Sequence, residues 1–434
     1  MRDYVEAEGQ NPDIGFSIDE SFKDIELEAM LADIKQSRTS VSLMVTDGGS
    51  VVSIELVDGI LYFGACDHNL YAVGAKEGKE LWRLNVGGIV VGMPVVYDKK
   101  IFVGSYDSNL YAVSMDGRLL WKFGTGGRIG HAVAASDGVV CVGSQDRNMY
   151  GLSMDGELLW KFSTNGEITD KAIAAEGILY FGSHDFSIYA LDIKAGRLLW
   201  KFKANDIVAS HPDAGGGMVY FGSFDDHLYA LDASDGSLAW KFHTDGACRG
   251  CSFHDGIVYA ISRDNCVYAV DAKTGRMIWR FSTENFLSRP PVVYGKAAYF
   301  GSTDSVVYAA DAKTGRLLWK HKSGGFVTSY VKMWGERLYF GCWDCSVYCI
   351  SDSGGLLWKF RTSMSSVARV DSEMLALKKT FSFTLKPEVE EQKERKHDVV
   401  EIADYGTFSG AYIDTTKTDY LGMSKGGYVK KKEF

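Results

Sequence analysis

An eight-bladed β-propeller is the fold class that this sequence predicts, and three observations carry it. Eight tryptophans, Trp82, Trp121, Trp160, Trp200, Trp240, Trp279, Trp319 and Trp358, follow one another at gaps of 39, 39, 40, 40, 39, 40 and 39 residues. Each stands four residues after a glycine. An aspartate and a tyrosine four residues apart recur once in every unit, from Asp67 and Tyr71 to Asp344 and Tyr348. A period near 40 with one outer tryptophan per unit is a propeller-blade pattern. Held over about 320 residues, it implies one closed array in place of two or three ordinary domains.

One unit, residues 217–242, shows the elements in order. Val219-Tyr220-Phe221-Gly222 reads as a short buried strand, Leu228 to Leu231 as the next, and Leu238 to Phe242 as the outermost. The strand that precedes each Tyr-Phe-Gly run is the innermost and the least uniform; in the first unit it spans 50–57. Every blade then holds four antiparallel strands in chain order, and the ring closes where the first blade meets the eighth. The turn aspartate suits a loop in which its side chain accepts from a backbone N–H two residues on. The glycine before each tryptophan suits a hairpin that needs φ > 0. The tryptophan is expected to pack against the neighbouring blade, supplying interface that an isolated blade lacks.

The flanks complete a division into 1–38, an acidic segment with an amphipathic helix; 39–371, the propeller; and 372–434, an extension. Residues 17–36 are expected to be helical, since Ser17 and Glu20 fit a capping box and Ile18, Phe22, Ile25 and Ala29 recur at helical spacing. Residues 41–46 match the outer-strand register without its tryptophan, so an added edge strand is expected there. Phe381, Phe383 and Leu385 alternate with polar residues and suggest a further edge strand, followed by a charged linker and a Tyr- and Gly-rich tail. Such a tail favours docking, on this chain or on a partner, over a second folded domain.

Composition limits the functional classes. Apolar residues make up 46% of the chain and the formal net charge is −9, which argues against a general nucleic-acid binder. Nine Asp or Glu in the first 28 residues, against Arg2 and Lys23, would be repelled by anionic surfaces. No secretory signal or transmembrane run is visible, so a cytoplasmic protein without membrane contact is expected. The eight cysteines fit a reducing compartment, since most stand where other units carry Ala, Ser or Val.

The runs AVDAKTGRMIW (269–279), AADAKTGRLLW (309–319) and ALDASDGSLAW (230–240) resemble the A-x-D-x-x-x-G-x-x-x-W tryptophan-docking pattern of the quinoprotein, or PQQ-like, repeat family. The resemblance covers about 49–362, eight times over, and implies the fold. Family members include eight-bladed quinoprotein alcohol dehydrogenases and an outer-membrane assembly lipoprotein, so the resemblance transfers no single activity. The dehydrogenases resemble one another in a pair of adjacent cysteines, a calcium site and an Asp base. This sequence has no Cys-Cys pair and no long insertion to build a calcium site, so no PQQ cofactor and no enzymatic activity are expected.

Positions that are constant between units are explained by the fold, whereas positions that differ are free of it. Just before the turn aspartate stand Cys66, Tyr106, Gln145, His184, Phe224, Arg263, Thr303 and Trp343, all different. They are expected to ring the face that carries the loops into the inner strands, with aromatic and Arg side chains typical of recognition surfaces, or else to be drift at an exposed turn. A second variable set lies nine to twelve residues after each tryptophan: His131, Asp170, Lys171, Ser210, His211, Arg249, Arg289, Tyr330 and Arg369. These should approach the channel mouth, where a net basic funnel would suit a small anion or an acidic peptide. The other reading is that water fills the pore.

Cys248 and Cys251 form a C-x-x-C, and Cys342, Cys345 and Cys349 a C-x-x-C-x-x-x-C. Placed in the fifth and eighth units, about three blades apart, they are expected to be buried packing residues and no metal site. The function expected is a non-enzymatic protein-binding or assembly platform. Its binding residues would come from Tyr106, His184, Phe224, Arg263, Trp343, His131, Lys171, His211, Arg249 and Arg289. The alternative is an enzyme or sensor that takes a small anion or a quinone in the channel.

Overall fold

A computed structural model describes residues 51–362. Among these residues it has 32 β-strands and no helix, grouped as eight four-stranded antiparallel sheets, each in chain order. The blades span 51–85, 95–124, 133–163, 173–203, 213–243, 248–282, 292–322 and 332–361 and are numbered 1 to 8. The first strands of blades 1 to 6 approach one another in succession, which places them around the central channel, and the first strand of blade 1, Val51–Val57, approaches the strands Lys332–Trp334 and Arg337–Cys342 of blade 8. The ring therefore closes between blades 1 and 8. The expected helix at 17–36, the strand at 41–46, the strand around Phe381 to Leu385, the tail and Arg369 lie outside the described residues.

Each strand's burial follows its place in the blade. The second and third strands, such as Met218–Ser223 and His227–Asp232, are buried along nearly their whole length because they face neighbouring blades on both sides. The fourth alternates: Leu238–His243 reads exposed, exposed, half-buried, exposed, half-buried, exposed. A bulge recurs between the third and fourth strands, for example between Ala230 and Leu231. It turns two adjacent outer residues outward, so Leu119 with Leu120, Leu158 with Leu159 and Leu317 with Leu318 are each 43 to 51% exposed.

The tryptophan joins one blade to the next. Nε1 of Trp82 donates to the carbonyl of Met115 at 2.9 Å, Trp121 to Met154 at 3.0 Å and Trp200 to Ala233 at 2.9 Å. Trp358 closes the circle by donating to Ala75 of blade 1 at 3.2 Å. Its ring lies where a Cβ on Gly78 would come within 2.7 Å, and Gly78 has φ +68°. The glycine thus serves two needs, a left-handed turn in its own blade and a flat seat for the tryptophan of the blade before it. The sequence suggested only the first.

The turn aspartate is likewise more than a local cap. In all eight blades its Oδ2 accepts from the Tyr hydroxyl four residues on, at 2.5 Å from Tyr229 to Asp225 and 2.7 Å from Tyr308 to Asp304. In blades 1, 2, 3, 6 and 7 its Oδ1 also accepts from the expected N–H two residues on, Asn109 donating to Asp107 at 3.0 Å. Oδ2 also reaches the preceding blade, accepting from the N–H of Gly126 to Asp146 at 2.7 Å and of Asn205 to Asp225 at 3.0 Å. One carboxylate therefore ties a turn, a third strand and the previous blade's exit loop.

Candidate functional site at the channel mouth

Backbone pairing fixes the two variable sets relative to each other. The N–H of the residue before the turn aspartate donates to a carbonyl 16 or 17 residues earlier: Tyr106 to Ile89, Gln145 to Arg128, His184 to Glu167, Phe224 to Ile207, Arg263 to Ala247, Thr303 to Phe286 and Trp343 to Phe326, at 2.9 to 3.0 Å. That earlier segment is the one leading into the first strand. The turn and the lead-in are thus stitched together blade by blade, and their side chains meet.

The meetings are specific. The Arg128 guanidinium lies over the Tyr106 ring at 5.5 Å, and Arg249 lies over Phe224 at 6.0 Å. Nε1 of Trp343 donates to Thr328 Oγ1 at 2.7 Å. His184 Nε2 is 3.0 Å from Thr169 Oγ1, which also reaches Asp170 Oδ2 at 3.2 Å. Contrary to the expectation of an exposed ring, Cys66, His184, Phe224 and Thr303 are buried, and Tyr106, Gln145, Arg263 and Trp343 are half-buried. The four buried residues form a second layer under the mouth, and the four half-buried ones remain part of its rim.

The lead-in segments are also stitched between blades. The N–H of His131 donates to Thr169 at 2.9 Å; that of His211 donates to Arg249 at 3.2 Å, and that of Cys251 donates back to His211 at 3.0 Å. A Cβ on Gly130 would come within 2.7 Å of the Thr169 carbonyl, so this approach requires glycine.

Inside this collar, Arg289 of blade 7 crosses the channel. Its Nη2 donates to Nε2 of His131 at 2.8 Å, and its Nη1 to Nε2 of His211 at 3.2 Å and to the Ser288 carbonyl at 3.0 Å. Its guanidinium also lies 5.9 Å from the Tyr330 ring centre, on which Lys171 Nζ rests at 5.5 Å. Arg289 thus points into the channel and not between blades. The ring of His211 meets those of His131 and Tyr330 edge-on at 5.9 and 5.8 Å.

Protonation follows from this geometry. A guanidinium only donates, so both Nε2 atoms are acceptors and both imidazoles are neutral with their proton on Nδ1. Burial first, then the charges of Arg289 and Arg249, hold His131 well below the usual histidine range. Burial and the same cations, with Lys171, do so for His211. His211 therefore makes no ion pair with Asp170 Oδ1, 3.7 Å from its Nε2. His184 is lowered to about 4, chiefly by burial.

Five of the ten expected site residues, His131, Lys171, His211, Arg249 and Arg289, thus converge on one polar cluster, joined by Asp170 and Tyr330. Tyr106, His184, Phe224 and Trp343 support its rim, and Arg263 is anchored there through its backbone. The sequence missed Arg128, and also Met93 and Val133, which line a recess of the channel with His131, Lys171, His211 and Tyr330. Arg128 lies seven residues after Trp121, just ahead of the window that the repeats marked.

The cysteines are all buried and unbridged. Cys248 and Cys251 sit on the first strand of blade 6, two blades from Cys342 and not three as counted from the sequence, because the lead-in segment of one blade was assigned to the blade before. Among the described residues no three His, Cys, Asp or Glu gather as metal ligands. Burial pushes the Cys248 thiol up to about 12 and Cys349 to about 11, which disfavours the thiolate.

Comparison with known proteins bears on this architecture. The family model described as "Outer membrane protein assembly factor BamB" matches at 66–175, 110–207, 154–251 and 248–380, together about three quarters of the chain. The chain belongs to this family. No curated protein matches it in sequence. Among solved structures, the computationally designed Ika8 protein is similar with a TM-score of 0.65 and 18% identity, over 70% of this chain and 96% of that one. BamB from Moraxella catarrhalis is similar with a TM-score of 0.62 and 18% identity, over 72% and 98% respectively. At that identity these two structures share the fold with this BamB-family chain.

Proposed function

We propose that this protein is a non-enzymatic binding platform, on which another protein docks against the channel-mouth face of the propeller. One observation carries the reading: the residues that differ from blade to blade do not scatter but interlock in one collar, through the turn-to-lead-in bonds that end at Tyr106, Phe224, Arg263 and Trp343. A scaffold that needed only to close its ring would have no reason to concentrate aromatic and Arg side chains at one end. Membership of a family named for an outer membrane protein assembly factor supports a role in assembly. Fold alone would not, since propellers host many functions. A cytoplasmic site of action, on the cysteine usage, and the lack of a nucleic-acid partner, on the net charge of −9, remain part of the proposal.

The test is photo-crosslinking in the native cell from a reactive residue placed at Tyr106 or Arg263, compared with one at Leu199 on the outer strand of blade 4. Specific products from the first two positions and not from the third are expected. Products from Leu199 alone, or none above background from the mouth, would remove the proposal.

A further inference from the structure

We infer that His227 and His243, opposite each other on the third and fourth strands of blade 5, chelate one divalent transition-metal ion of the zinc type. The two residues are directly in register. Their backbones are not bonded to each other, because the flanking N–H of Thr244 donates to the Asp226 carbonyl at 2.8 Å, and antiparallel pairs of this kind bring their side chains closest. The two imidazole centres stand 5.1 Å apart at 52°. Two rings bound to one tetrahedral ion through Zn–N bonds of about 2.0–2.1 Å have their centres about 5 Å apart. The His227 side chain is 21% exposed and His243 is exposed, so an ion reaches both from solvent.

His227 is already oriented as a ligand. Its Nδ1 lies 2.6 Å from the Asp225 carbonyl. A carbonyl only accepts, so Nδ1 carries the proton and Nε2 the lone pair. Metal-ligating histidines are held in the same way, by a carbonyl or carboxylate on the nitrogen away from the metal. The surrounding charge suits a cation, since the Asp226 carboxyl is within electrostatic reach of both imidazoles and of Asp225 and Asp264. The pair is also particular to blade 5. The same two positions hold Asn69 and Asn85 in blade 1, Asn148 and Ser163 in blade 3, and Val306 and Lys322 in blade 7, so the fold does not require imidazoles there. Among the described residues no third His, Cys, Asp or Glu completes the set, which leaves the remaining coordination positions to water. Two imidazole nitrogens as the protein's only ligands suit zinc, copper or nickel, whereas magnesium and calcium take oxygen.

The site does not depend on a partner at the channel mouth, and its test uses the full chain stripped with EDTA. Zn²⁺ titrated calorimetrically in a non-coordinating buffer is expected to give saturable 1:1 binding. His227→Gln and His243→Gln should each weaken that binding about tenfold or more, because with both rings present the second binds at a high effective concentration. His243→Gln should keep the thermal midpoint of the metal-free chain, since this side chain is exposed. His254→Gln, at the end of the first strand of blade 6, should bind zinc as the unaltered chain does. Absence of saturable zinc binding, or binding left unchanged by either His227→Gln or His243→Gln, would overturn the assignment.

Discussion

Arg289 of blade 7 donates to His131 of blade 3 at 2.8 Å, and these two blades face each other across an eight-membered ring. A single side chain thus links opposite walls of the channel. The same guanidinium holds His211 of blade 5 at 3.2 Å. The channel is therefore braced from within, in addition to the tryptophan contacts that run around its circumference.

Replacing Arg289 with Met should cost about 2–4 kcal/mol, because two buried imidazole acceptors lose a charged donor at once. It should also raise the pKa of His131 and His211, since one of the cations that repels their protonated forms is gone, though burial still holds both low. Urea denaturation and NMR titration of the histidines check the two effects separately. Arg289→Lys keeps the charge without the fork and should recover only part of the loss.

The neutral histidines make stability depend on pH in a stated direction. A histidine whose folded pKa lies below its unfolded value of about 6.5 binds fewer protons folded than unfolded between the two. Its contribution is complete above about pH 6.5 and is lost as pH falls towards the folded pKa, which is about 4 for His184 and well below the ordinary value for His131 and His211. Each contributes a slope of up to about 1.4 kcal/mol per pH unit in that window. Urea midpoints at pH 4.5, 5.5, 6.5 and 7.5 should show it as a fall in stability on the acid side, reduced in His131→Gln, whose amide oxygen still accepts from Arg289.

Much of this architecture was legible because eight copies stood in one chain. The Trp spacing specified the blade count, and the variable offsets led to His131, His211 and Arg289. What those residues do was not legible, since Arg289 and His131 are 158 positions apart and meet only once the ring has closed. The same holds for the glycine before each tryptophan, whose second role belongs to a different blade. Burial of Phe224 and His184 was missed for a related reason: the lead-in segment that covers them is variable in sequence, so no period announced it.

Trp358 tests how the ring closes. Trp358→Phe should cost about 1 kcal/mol for the lost bond to Ala75, whereas Trp358→Ala should cost about 3–5 kcal/mol and open the seam. Amide hydrogen exchange should then rise first in Val51–Val57 and Leu356–Arg361, on the two sides of that seam. Even exchange throughout the ring would mean that closure is shared more widely than the Trp358 contact indicates.

The aspartate–tyrosine pairs should act as fold elements. Tyr229→Phe should cost about 1–3 kcal/mol, because it takes a hydroxyl donor from the Asp225 carboxylate. Asp225→Ala should cost more, since it also releases the N–H of Asn205 in the preceding blade's exit loop. Thermal unfolding of both variants gives the order. Partner crosslinking from Tyr106 should be unchanged by Tyr229→Phe at temperatures where the variant is folded.

The platform reading is tested most directly by the affinity of the crosslinked partner for full-length protein altered in two places. Tyr106→Ala with Arg263→Ala removes rim side chains while leaving the backbone stitches, and should weaken binding at least about tenfold, as loss of hot-spot residues does. Leu159→Ser with Leu199→Ser alters the exposed outer strands of blades 3 and 4 and should change affinity less than about twofold. Unchanged binding in the first variant with a large loss in the second would place the interface on the circumference and contradict the account.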